Sequence, residues 1–178
     1  SDAALTPQSR YNFAREVRSW VDEYDLDGVD IDWEYPGSSA AGITSRPQDR
    51  ENFTLLLQAL RDVLGSDAWI SVAGTGDASY IRNVDIAGIA PIINYFNIMA
   101  YDFTAGVTGA QGARHHSNLF PSDLAFNNIS ADLYVQNLIN AGMPPEQLLL
   151  GLPLYGRNGA TITRTFDEIR RSYLNTNG

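Results

Sequence analysis

From Gly28 to Glu34 the chain reads Gly-Val-Asp-Ile-Asp-Trp-Glu, with apolar and acidic residues in alternation. A period of two sends successive side chains to opposite faces of an extended strand. Asp30, Asp32 and Glu34 therefore share one face, while Val29, Ile31 and Trp33 take the other. The apolar face can pack under helices. The acidic face must look into a lumen or a cleft. Same-face neighbours on a strand lie about 6–7 Å apart. Three partly desolvated carboxyls at that spacing do not all ionise easily, so at least one pKa is expected to rise. A carboxyl kept protonated near neutral pH can serve as a general acid. Glu34, last in the series and nearest the open mouth, is the residue expected in that role.

Other readings of these carboxylates fit less well. A solvated acidic edge strand does not explain the Val, Ile and Trp between them. Asp25-Leu26-Asp27-Gly28 superficially resembles the start of a calcium loop, but its Gly comes too early and no Glu stands at the twelfth position. A magnesium phosphatase site would need a phosphate-cradling Gly-rich loop and a matching Lys, and neither is present.

The rest of the chain alternates helical and strand patterns. Thr6 and Pro7 form a helix start, after which Phe13, Val17, Trp20 and Tyr24 recur at helical spacing. A Gly-, Ser- and Ala-rich loop from Pro36 to Pro47 follows the acidic strand. The next helix carries Phe53, Leu56, Leu57, Leu60 and Leu64 and is closed by Gly65. Strands are expected at 69–73, 95–101 and 148–154, and a short helix at 85–93. Residues 103–129 read as a long irregular loop, a kind often tied to function. Ser130 caps a helix running to Ala141, and Thr165 with Glu168 forms a capping box for a last helix near 166–174. Strands separated by helices imply parallel βα units, whose functional residues gather at the carboxyl ends of the strands.

Composition narrows the function. The 178 residues carry 12 Lys and Arg against 21 Asp and Glu, a net charge of −9. Nucleic-acid binding needs clustered basic residues, so it is not expected. There are no cysteines, which excludes disulfides, thiolate metal sites and cysteine nucleophiles. No apolar run reaches the ~18 residues that span a bilayer, and no signal peptide is visible. His115 and His116 have no third ligand in view, so no metal site is expected. A histidine pair in an exposed loop is more often incidental than functional.

The run Asp27-Gly28-Val29-Asp30-Ile31-Asp32-Trp33-Glu34 matches the D-G-x-D-x-D-x-E signature of glycoside hydrolase family 18, the chitinase family, at every fixed position. Met99-Ala100-Tyr101-Asp102-Phe103 is similar to that family's sixth-strand segment, and Gly151 to Arg157 to its seventh. The resemblance implies an α/β fold of the parallel (β/α)8 TIM-barrel type. It implies retaining hydrolysis of β-1,4-linked N-acetylglucosamine in which the substrate's own acetamido oxygen is the nucleophile, an exception among glycosidases. Carried over by position, Glu34 is the general acid/base, Asp32 orients the acetamido N–H, and Asp30 tunes Asp32. Tyr101 donates to the acetamido oxygen and Asp102 binds the sugar. Met99, Tyr155, Arg157, Trp33 and Tyr35 complete the substrate-binding set. Met99 is equally readable as core, and Tyr155 with Arg157 as a rim pair. Asp27, ahead of the triplet, is expected to be structural.

The resemblance implies chitin or N-acetylglucosamine oligosaccharides as partner, no cofactor, endo action and an extracellular parent protein. Two alternatives stay open. One is an endo-β-N-acetylglucosaminidase acting on N-glycans, and the other a non-catalytic chitinase-like carbohydrate-binding protein. In family terms the match runs from the helix before the fourth strand to just past the seventh. The expectation is thus an incomplete barrel of about strands 4 to 7 over residues 1–157, with 158–178 opening a small α+β insertion. Such a portion lacks the eighth-strand Trp that floors the sugar site, so the isolated chain is expected to have little activity. Its open sheet edges are expected to favour self-association.

Overall fold

The computed structural model describes residues 1–112, 114–158 and 162–172. The chain divides into two compact units, Ser1–Ile98 with Val135–Leu149, and Met99–Tyr134 with Leu150–Gly178.

The first unit begins with helix α1 (Pro7–Tyr24). Thr6 is its cap, accepting from the Ser9 amide at 3.0 Å, while the Ser9 hydroxyl answers the Thr6 amide. Strand β1 (Gly28–Asp32) follows, then α2 (Asp49–Leu64), β2 (Trp69–Gly74), and two short helices, α3 (Ala78–Asn83) and α4 (Ile86–Ile89). Strand β3 (Tyr95–Ile98) comes next. The strands align in the order β1-β2-β3-β4, where β4 is Leu148–Leu150, and the β1–β2 and β2–β3 pairs are parallel. Gly28 is required where it stands, because a side chain there would run into the paired Trp69 backbone.

α1 and α2 pack on one another under the sheet. Phe53, Leu57 and Leu60 of α2, Ile70 and Val72 of β2, and Phe96 and Ile98 of β3 are the buried centre of this unit. Every second residue of β2 and β3 is buried, which leaves Ser71, Ala73 and Asn97 on the other, partly open face. β1 is an edge strand. Beside it runs a groove of about 780 Å³, lined by Phe13, Val17 and Trp20 of α1 and by the run from Val29 to Glu34, Asp30, Asp32 and Glu34 included.

The second unit starts after β3. It contains the short helix α5 (Gly109–Gly112), the antiparallel hairpin β5 (Tyr155–Asn158) and β6 (Ile162–Thr165), and helix α7 (Phe166–Ser172). Helix α6 (Ala131–Asn140) spans the division between the units, and the Leu133 amide donates to the Ser130 hydroxyl at its start. The capping box of α7 forms as expected: the Glu168 amide donates to Thr165 Oγ1, and the Thr165 amide to Glu168 Oε2.

Several expected boundaries move. The strand expected at 95–101 ends at Ile98, and the one at 148–154 ends at Leu150, just before Gly151 and Pro153. The helix expected over 85–93 is only Ile86–Ile89, and α3 precedes it. Among its described residues the loop at 103–129 holds α5, a bridge between His115 and Ala125, and a 3-10 turn at Phe126–Asn128. Positions 173 and 174 of the expected last helix lie outside the described residues, as does part of the expected insertion at 158–178.

Candidate active site

Two groups of polar side chains stand out, one in each unit.

In the first unit β1 stops at Asp32, so Trp33, Glu34 and Tyr35 leave the sheet at its carboxyl end. The Glu34–Tyr35 peptide bond is cis. Asp30, Asp32 and Glu34 are exposed, Ile31 is buried, and Val29 and Trp33 are half-buried, as strand alternation requires. Asp30 Oδ1 accepts from Ser71 Oγ at 2.5 Å and from Asn97 Nδ2 at 2.8 Å. Ser71 stands directly opposite Asp30 in the β1–β2 ladder. Asn97 reaches it from β3, across the intervening strand. The sequence reading named neither partner.

Asp32 is the carboxyl pushed up. Loss of water is the main cause, the negative charges of Glu34 and then Asp30 add to it, and a hydrogen bond shared with Glu34 completes it. Asp30 thus acts on Asp32 as a nearby negative charge, itself fixed by Ser71 and Asn97. Burial pushes the Tyr35 phenol up as well, assisted by a hydrogen bond to Glu34. The Tyr35 ring stands edge-on to Tyr80, with centroids 6.2 Å apart. Trp33 packs edge-on against Phe53 at 5.4 Å, on the strand face opposite the carboxylates. Chemically, this group is three carboxyls on one strand face beside solvent, the middle one pushed up by loss of water and its neighbours' charge, and carboxyls so placed can exchange protons with an oxygen.

In the second unit Met99, Tyr101 and Asp102 are half-buried. Asp102 adopts a left-handed backbone, φ +60°. Its Oδ1 accepts from Tyr155 Oη at 2.7 Å and from Arg157 Nε at 2.5 Å. The Arg157 guanidinium holds the Asp102 carboxyl below the usual carboxylate range, with smaller help from Tyr155, although burial pulls the other way. Burial, and then the bond to Asp102, push the Tyr155 phenol up. Tyr101 meets the Tyr155 ring edge-on at 6.4 Å. A cavity of about 360 Å³ opens beside Asp102, Tyr155 and Arg157. The structure separates the two histidines. His115 is exposed and pairs through its backbone with Leu124, whereas His116 sits with its ring tilted against Tyr155 at 5.5 Å. Among the described residues, no three His, Asp or Glu side chains gather as a metal-holding group, and no helix is long and apolar enough to cross a membrane.

Comparison with known proteins follows the same lines. The model for "Glycosyl hydrolases family 18" matches residues 1–175. Chitinase A1 of Niallia circulans is 32% identical over 214 aligned residues, covering 100% of this chain and 31% of the relative. The crystal structure of the chitinase domain of the spore coat protein CotE from Clostridium difficile shares 68% identity at a TM-score of 0.97, covering 100% of this chain and 52% of that one. A glycoside hydrolase family 18 N-acetylglucosaminidase from Paenibacillus barengoltzii shares 31% identity at a TM-score of 0.91, covering 100% and 59%. The chain therefore spans about a third of that curated relative and a little over half of these solved domains. The parallel sheet with its helices is the corresponding part of a β/α barrel.

Proposed function

This chain belongs to glycoside hydrolase family 18, and from that premise we propose that it carries the proton-transfer strand of an enzyme that hydrolyses β-1,4-linked N-acetylglucosamine polymers. Glu34 protonates the glycosidic oxygen as the C1–O bond breaks. The acetamido carbonyl oxygen of the sugar forms the new bond to C1, giving an oxazolinium ion with the leaving chain displaced. Glu34, now a carboxylate, takes a proton from water, and that water attacks C1 and reopens the ring with retained configuration. Asp32 holds the acetamido N–H and stabilises the cationic ring. Asp30 sets the charge behind Asp32, and Tyr101 donates to the acetamido oxygen. Asp102, Tyr155, Arg157, Trp33, Tyr35 and Met99 form the sugar-binding set.

The observation that carries this reading is the placement of Asp30, Asp32 and Glu34 on one exposed face at the carboxyl end of β1, with Asp30 held by Ser71 and Asn97. The reading is tested with Glu34→Gln in an enzyme carrying this chain in a complete barrel. Turnover of chitin oligosaccharides is expected to fall by about 10²–10⁴-fold, with binding retained. Turnover near the parent rate would refute the assignment.

An endo mode is part of the proposal, but the similarity to an N-acetylglucosaminidase supports a second reading in which single sugars are released. Product analysis on chitin pentamer separates the two, since endo action yields internal fragments from the first turnovers. N-glycan glycopeptides test the remaining hydrolytic alternative. Binding without turnover would mark a chitinase-like lectin. An extracellular setting follows from the substrate, because an insoluble polymer is reached only outside the cell. The domain with 68% identity belongs to a spore coat protein, which supports that setting. The open β1 edge supports self-association of the chain when it stands alone. We also read residues 158–178 as the opening of the insertion subdomain, after a barrel portion over 1–157.

A further inference from the structure

His116 lies in the long loop after β3, and its side chain is only 13% exposed. The loop is pinned there by the Phe103 amide, which donates to the His116 carbonyl at 3.1 Å. The ring touches two members of the Asp102 group at once. The Asp102 amide donates to His116 Nδ1 at 3.4 Å, and the ring hydrogen-bonds the backbone of Tyr155. The ring face also lies against the Tyr155 ring, tilted by 31°. A nitrogen that accepts an N–H carries no proton of its own, so the imidazole's proton sits on the other nitrogen.

Asp102 adopts a left-handed backbone, uncommon for a residue with a side chain although Asp tolerates it better than most, and three neighbours hold it there. Tyr155 and Arg157 fix the Asp102 carboxylate, and His116 meets the same residue at its amide. We propose that His116, as the neutral imidazole with Nδ1 bare, is a positioning residue that holds the Asp102 backbone and the Tyr155 ring in their sugar-binding arrangement. It acts through them and does not touch substrate. Its relevance to sugar rests on the function proposed above, whereas the tautomer does not.

The charged and titratable groups facing the ring agree with a neutral form. Loss of water lowers His116's affinity for a proton and the Arg157 cation lowers it further, while the Asp102 anion, 3.7 Å from Nδ1, and the bond to the Tyr155 backbone pull the other way. The remaining neighbours are the Tyr155 phenol against its face, with Arg114 and His115 sharing the small surface cavity beside it. Protonation would place a hydrogen on Nδ1, against the Asp102 N–H, and two donors would then oppose each other.

Ring-nitrogen NMR on the 178-residue chain tests the tautomer directly. His116 is expected to show an unprotonated Nδ1 at neutral pH and to stay neutral below the ordinary histidine range. Asp102→Asn, which removes the anion, should lower that titration further. A protonated Nδ1 at neutral pH would overturn the proposal. In the enzyme with a complete barrel, His116→Ala is expected to raise KM for chitin oligosaccharides about fivefold, the worth of one ordinary hydrogen bond, with kcat nearly unchanged. His116→Asn, whose amide oxygen can accept the same N–H, should recover most of that loss. An unchanged KM in His116→Ala, or equal losses in both variants, would overturn it. If the parent enzyme proves inactive on chitin, the function proposed above fails while the tautomer measurement still decides this one.

Discussion

Asp49, the first residue of α2, is fully buried and holds the loop that follows the acidic strand. One carboxyl oxygen accepts from the Gly37 amide at 3.2 Å and the Arg46 amide at 2.7 Å, and the other accepts from Ser1 Oγ at 2.8 Å. Asp49→Ala leaves the two amides without an acceptor. Each such loss is worth about 1–1.5 kcal/mol where water can partly replace the partner. Ser1 keeps a second partner in the Arg46 guanidinium, so its share is small. The expected destabilisation is therefore about 2–3 kcal/mol. Asp49→Asn keeps the shape and one acceptor oxygen and should lose about half as much. Urea unfolding of the chain measures both, and hydrogen exchange at Gly37 and Arg46 shows whether the loop opens first. The loop begins at Tyr35, whose carbonyl accepts from Ser38 at 3.1 Å, so loosening it reaches the residue beside Glu34. Loss below about 0.5 kcal/mol in Asp49→Ala, the range of ordinary surface changes, would refute the reasoning, as would equal losses in the two variants.

Asp32 and Asp102 should shape stability against pH in opposite senses. Asp32 is raised, chiefly by loss of water, so the unfolded chain releases that proton first as pH climbs. Its effect is absent below the ordinary Asp pKa, and stability then declines until pH passes the folded value. Asp102 is lowered, chiefly by Arg157, so its stabilisation is full above the ordinary Asp pKa and is lost as pH falls through the folded value. Melting temperatures across acidic pH should show Asp32→Asn removing the decline and Asp102→Asn removing the acid loss, and parent-like slopes in both would contradict these shifts. Light scattering of the chain alone should show dimers or larger species as concentration rises, through the β1 edge, and a monomer at every concentration would end that reading.

What the sequence made legible was local. The alternation of Asp30, Asp32 and Glu34 with Val29, Ile31 and Trp33 needs only the strand's period, and it survives in the structure residue by residue. Helix ends marked by side chains that bond their own backbone, at Thr6 and Thr165, were equally readable. Apolar runs were less informative about length. Leu148 to Leu154 reads as one strand, but Gly151 and Pro153 oppose its continuation and only Leu148–Leu150 pairs. α3 left a signal that went unused, for Asp77 caps it by accepting from the Ser79 and Tyr80 amides. Asn158-Gly159 is a dipeptide that favours a tight turn, but no strand was expected on either side of it, so the β5–β6 pair was missed.

The partners of the site residues were not legible, for a different physical reason. Alternation says which side chains face the opening, but it does not say which residues of neighbouring strands stand opposite one another. That depends on register, and register comes from packing along the whole sheet. Ser71 and Asn97 lie 41 and 67 residues from Asp30 and meet it only because β1, β2 and β3 align as they do. A one-residue slip of β2 would turn Ser71 toward the helices and present Ile70 or Val72 to Asp30. The acidic triplet therefore names the chemistry, while the sheet register decides whether its rearmost member is held still. His116 repeats the point outside any sheet, since its contact with Asp102 is set by the path of a loop for which no periodic pattern exists. The groups that do chemistry follow from residue type and spacing, and those that hold them in place follow from the fold.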